Sequence, residues 1–122
     1  IIEQIGHGLV QLIENGDMDS AEMEEVLKSY LNPMVEKNID YLVLGCSHYP
    51  YLIPQIKKII PSQIKIIDSG EAVAKQTQKI LEQSHLLNLT NKKSSQIFYT
   101  NSEPEVLKTI LGNCENVIYK NF

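Results

Sequence analysis

The chain has 122 residues, 43% of them hydrophobic and 21% charged, which is the length of one ordinary domain or of part of a larger one and a composition that excludes disorder and fibrous repeats. A net charge of −4 gives no electrostatic basis for binding nucleic acid or an anionic membrane surface. No run approaches the ~20 apolar residues of a membrane span, and no secretory leader pattern is present, so a cytoplasmic protein is expected.

The first residues, IIEQIGHG, carry no initiator methionine and enter directly on an apolar helical pattern, as a fragment would. Leu9, Val10, Leu12 and Ile13 then recur at near-helical spacing, and Asn15-Gly16 is a common helix ending, so a helix is predicted up to Glu14. A second helix follows, with Asp19 or Ser20 as N-cap, acids in its first turn, and Met23, Val26, Leu27, Tyr30 and Leu31 on one face. Pro33 is expected to kink or divide it, and Asn38 to end it.

DYLVLGC is an apolar run without alternation, which suits a strand covered on both faces of a parallel sheet. A short helix is predicted over YPYLIPQIKKII, with Pro50 in its first turn and Pro61 closing it. Then come a strand at QIKIID, a helix at EAVAKQTQKILEQS capped by Asp68 or Ser69, and a strand at QIFYTN. Asn101 or Ser102 is expected to cap a helix over EPEVLKTILG, and ENVIYKNF supplies a last strand. Strand and helix thus alternate from Asp40 onward. The fold class is α/β, a parallel sheet with helices on both faces.

Chemistry concentrates in LGCSHYP, Leu44 to Pro50, at the carboxyl end of the first strand. Ligands of open α/β sheets gather at such ends, where helix amino termini present free N–H groups. A thiol near a helix start has its anion favoured by the helix dipole. If extended backbone persists through Ser47, the Cys46 and His48 side chains leave one face, and the imidazole can relay the thiol proton. Ser47 adds a hydroxyl and an N–H for a bound carboxylate. The competing interpretation of the same residues is a small buried apolar cysteine beside a turn histidine. Cys46 and Cys114 lack CxxC spacing, and His7 and His85 lack ligand spacing, so neither a disulfide scaffold nor a metal site is expected.

LGCSHYP closely resembles the LGCTHYP signature of the glutamate racemases, cofactor-independent amino-acid racemases. Two flanking stretches are also similar: LVQLIENG resembles the family's VPLIE segment, and IKIIDSGEAVA its next strand and helix. The likeness covers Val10 to Leu87 and runs more weakly to Phe122. Related aspartate racemases carry glutamate where His48 stands, so the histidine favours glutamate as substrate.

The resemblance implies interconversion of L- and D-glutamate, supplying the D-isomer for peptidoglycan, by two cysteines facing each other across the substrate. One acts as thiolate base and the other as thiol acid. No cofactor and no metal are implied. Cys46 corresponds to the second of these cysteines, His48 to its assisting histidine, Ser47 to a substrate-binding residue, and Glu14 either to a catalytic glutamate or to a solvated helix-end carboxylate. The family's other half site, an aspartate-serine-glycine motif and a first cysteine followed by asparagine and threonine, has no counterpart. Cys114, in LGNCENV, lacks those neighbours and is expected to be a packing or surface residue, and Asp68-Ser69-Gly70 follows the signature instead of opening the chain.

The chain is therefore expected to be the carboxyl-terminal part of a two-domain, pseudo-symmetric racemase and inactive alone. Residues 1–68 would complete the second domain, and residues 69–122 would return to a first domain that is mostly absent. Glutamate is the expected partner, with neither nucleic acid nor membrane, and a homodimer is compatible with it. Two alternatives stand beside this assignment: a non-catalytic α/β module that binds a carboxylate or a protein partner, and an aspartate racemase relative.

Overall fold

A computed structural model describes residues 1–90, 92–113 and 115–122. Helix α1, Leu9–Glu14, ends as the sequence predicts. Gly16 adopts the left-handed conformation (φ +84°), its N–H reaches the Ile13 carbonyl, and the Asp17 N–H reaches the Leu12 carbonyl. These two bonds satisfy carbonyls that a helix end leaves free.

Helix α2, Ala21–Glu36, begins at Ser20, whose side chain accepts the Met23 N–H at 3.1 Å. It runs through Pro33 as one element, so the expected division does not occur. The ring removes a hydrogen bond to the Ser29 carbonyl, but Ser29 and Pro33 both lie on the exposed face, where water serves the freed acceptor. The helix closes at Lys37, with Asn38 at φ +54°. Met23, Leu27 and Leu31, spaced four apart, form its buried stripe.

Strand β1, Tyr41–Val43, pairs in parallel with β2, Lys65–Ile67. Between them a 3-10 turn, Tyr49–Leu52, leads into α3, Ile53–Ile59. Ile60 is extended ahead of Pro61, as the residue before a proline must be to avoid its ring. Leu9, Leu12 and Ile13 of α1, the α2 stripe, Leu42, Leu44, Leu52, Ile56, Ile60 and Ile64 form one core.

Only one face of the β1–β2 ladder is covered. Leu42, Leu44 and Ile64 point into the core, whereas Tyr41, Val43 and Ile67 are 47%, 66% and 44% exposed. The expectation of a first strand covered on both faces is corrected accordingly. The run is apolar throughout, yet the described residues supply a layer for one face.

The remaining elements are α4, Gly70–Gln83; β3, Phe98–Thr100; α5, Pro104–Ile110; and β4, Val117–Tyr119. Asp68 Oδ1 accepts the Gly70 N–H at 2.8 Å at the start of α4, in which no residue is buried. Strand β3 pairs in parallel with β4 in a second ladder, separate from the first, so the strands do not form a single sheet. Neither Asn101 nor Ser102 caps α5. Pro104 occupies its first turn, which makes extended Glu103 (ψ 117°) the capping position. This region touches the first core through Ile110, and Val106 lies against Gly16.

Candidate functional site

The β1 ladder ends where the Leu44 N–H donates to the Ile67 carbonyl at 2.8 Å. Beyond it the Tyr49 N–H donates to the Cys46 carbonyl at 3.2 Å, closing a turn whose central residues are Ser47 and His48. His48 already has helical backbone (φ −82°, ψ −29°). The thiol and imidazole therefore converge across a tight turn and not along extended strand, which corrects the route by which the sequence was expected to join them. Cys46 Sγ lies 3.9 Å from His48 Nδ1, and Ser47 Oγ lies 3.4 Å from the same nitrogen.

Glu14 is brought in from α1, remote in sequence from the turn. Leu9, Leu12 and Ile13 anchor α1 in the core and the helix packs on the 3-10 turn, which leaves its last residue facing the imidazole. Glu14 Oε1 is 3.3 Å from His48 Nε2, with the two side chains 62% and 34% exposed. A pair so open to water contributes at most ~1 kcal/mol to stability. Its chemical consequence is larger. A carboxylate at Nε2 favours the tautomer with its hydrogen on that nitrogen, in which Nδ1 can accept the thiol proton.

All four residues singled out from the sequence thus meet in one place. Cys46 is half-buried, neither sealed in the core nor fully solvated. Cys114, expected to be a packing or surface residue, lies outside the described residues. An open groove of about 630 Å³ between α3 and β2, lined by Ile53, Lys57, Ile60 and Ile64 among others, shares no residue with the turn. No helix among the described residues is long and apolar enough to cross a membrane.

Two contacts went unassigned in the sequence. The Tyr49 hydroxyl donates to the Gly6 carbonyl at 3.3 Å, and the Tyr30 hydroxyl donates to the His7 carbonyl at 3.0 Å. Burial, followed by the nearby Cys46, raises the Tyr49 hydroxyl above its ordinary pKa, so it remains a proton donor throughout the neutral range. The one sequence signal for this pair is a glycine just ahead of a helix, too common a feature to single out.

No protein-family model matches the chain. Among curated proteins, it is 39% identical over 111 residues to a glutamate racemase of Pseudomonas putida strain GB-1, covering 91% of this chain and 42% of that protein. It is 36% identical over the same length to a glutamate racemase of Stutzerimonas stutzeri, covering 91% and 41%. A crystal structure of a glutamate racemase isoform from Bacillus anthracis superposes with a TM-score of 0.72 at 30% identity, over 93% of this chain and 44% of that one. The Francisella tularensis glutamate racemase in complex with D-glutamate gives 0.70 at 29% identity, over 93% and 44%. The chain is a relative of the glutamate racemases and spans less than half the length of the curated relatives it matches.

Proposed function

We propose that this relative of the glutamate racemases supplies one half site for the interconversion of L- and D-glutamate, with Cys46 as one of two opposed acid/base thiols. The convergence of Cys46, His48 and Glu14 is the observation that supports it. In one direction the Cys46 thiolate takes the proton from Cα. An S–H bond forms as the C–H bond breaks, and the electron pair stays on Cα, delocalised into the adjacent carboxylate. A second thiol on the opposite face then delivers its own proton to Cα, and the reverse direction exchanges the roles. His48 receives and returns the Cys46 proton at Nδ1, Glu14 holds the ring from Nε2, and Ser47 binds a substrate carboxylate. No cofactor takes part, so stabilising the carbanion falls to hydrogen bonds and to exclusion of water.

In this reading the second thiol comes from outside these residues, and they are inactive alone. The boundary near residue 68 is supported by the two separate ladders on either side of it. In this assignment residues 1–68 complete one α/β domain and residues 69–122 add to another, and the whole protein works in the cytoplasm supplying D-glutamate for peptidoglycan.

The test is a chimera in which this chain replaces the matching segment of the P. putida racemase. We expect it to racemise glutamate, and Cys46→Ser to stop α-proton exchange from one enantiomer far more than from the other. Equal deuterium uptake from both enantiomers in that variant would remove Cys46 from its role.

A further inference from the structure

We infer that Tyr49 is a positioning residue for the His48–Glu14 pair, tying the segment that leads into α1 to the Cys46 turn. The inference rests on the half-site assignment only for its link to racemisation; the geometry stands apart from it.

Tyr49 is bound at both ends of its structure. Its N–H holds the Cys46 carbonyl, which shapes the turn carrying Ser47 and His48. Its hydroxyl, reaching across 43 positions of sequence, holds the carbonyl of Gly6. Three residues later α1 begins, and that helix ends in Glu14. The clamp therefore spans the two supports of the pair: on one side it is fixed to Cys46, at the start of the turn that carries His48, on the other to the lead of the helix that carries the carboxylate.

The fit at Gly6 is close. A Cβ added there would stand 2.5 Å from the Tyr49 hydroxyl oxygen and 2.7 Å from Leu9 Cδ1, closer than such atoms approach. Gly6 is what allows the backbone to reach the phenol. Tyr30 of α2 holds the next carbonyl, that of His7, so two successive peptide groups are tied by phenols from two different elements. With both carbonyls held, the start of α1 has little freedom to swing away from the turn. An exposed imidazole–carboxylate contact has too little energy to hold its own geometry, so the separation must be set by its supports.

The experiment measures the rate at which iodoacetamide alkylates Cys46 in the 122-residue chain, resolved from Cys114 by peptide mass spectrometry. The proteins compared are the unaltered chain, Tyr49→Phe, Glu14→Gln and the double variant, with the same set assayed for racemisation in the chimera. Phenylalanine keeps the ring and removes only the hydroxyl, and circular dichroism checks that the fold persists. If Tyr49 acts through Glu14, each single change alters the alkylation rate about fivefold, the worth of one hydrogen bond, and the double variant shows no further change. Gly6→Ala, which attacks the clamp from the other side, gives the same non-additive pattern. Additive effects of Tyr49→Phe and Glu14→Gln would overturn the inference, as would an unaltered alkylation rate in Tyr49→Phe. An inactive chimera combined with non-additive alkylation would sink the racemase assignment and leave the clamp standing, whereas an active chimera with additive effects would do the reverse.

Discussion

Residues 9–67 and residues 69–122 use the same grammar, a parallel strand pair joined through a helix, yet only the first forms a core. Of the buried apolar residues described, all but Val117 belong to the first region. Helix α4 is as long as a typical helix and strongly two-faced in sequence, yet Val73 and Ile80 are 60% and 49% exposed. Local pattern therefore specifies an element, but burial requires a second surface, and for residues 69–122 the described residues supply little of one.

The largest expected difference between the two regions lies in hydrogen exchange. Amides of α2 and α3 should be protected by several orders of magnitude, while those of α4 exchange close to the free-chain rate. Equal protection in the two would erase the distinction. Next in size is core truncation: Leu52→Ala, at a side chain with no exposure, should cost about 2–5 kcal/mol in urea unfolding, against under ~0.5 kcal/mol for Ile80→Ala on α4. Comparable losses at the two sites would mean that α4 is packed in solution. Ser20→Ala, which leaves the Met23 N–H without its side-chain partner, should cost about 1 kcal/mol and sharpen the assignment of α2 to the stable region. The smallest effect concerns pH. Because Tyr49 holds its proton more tightly in the fold than in the unfolded chain, its contribution is complete below about pH 10 and declines as pH rises through the elevated value. Tyr49→Phe should remove that decline; an unchanged alkaline limb would assign it to other groups.

The sequence made the alternation of strands and helices legible, together with the Ser20 cap, the Asn15-Gly16 ending and the residues of the Cys-x-His turn, because each depends on neighbours within a few positions. Its failures share a cause. The bare face of β1, the separation of β3–β4 from β1–β2, and the hydroxyl of Tyr49 on Gly6 all depend on what lies across space, which periodicity does not encode. The division expected as one outcome at Pro33 failed for a different reason. A proline divides a helix only where its freed carbonyl has no other partner, and solvent provides one at Ser29. At the candidate site, residue types and spacing identified Cys46, Ser47 and His48, and family resemblance alone brought in Glu14. The distance from Glu14 to His48 was not readable from the chain.

The register of the two ladders has a further consequence. Tyr41 meets Lys65 and Phe98 meets Val117, so each ladder closes over a modest length of chain, with no strand of one region threaded between strands of the other. Closure over such a length costs only a modest loop entropy, and units of this kind fold in the order in which they leave the ribosome. The Cys46 turn can thus be shaped during translation, before the last ladder has been synthesised.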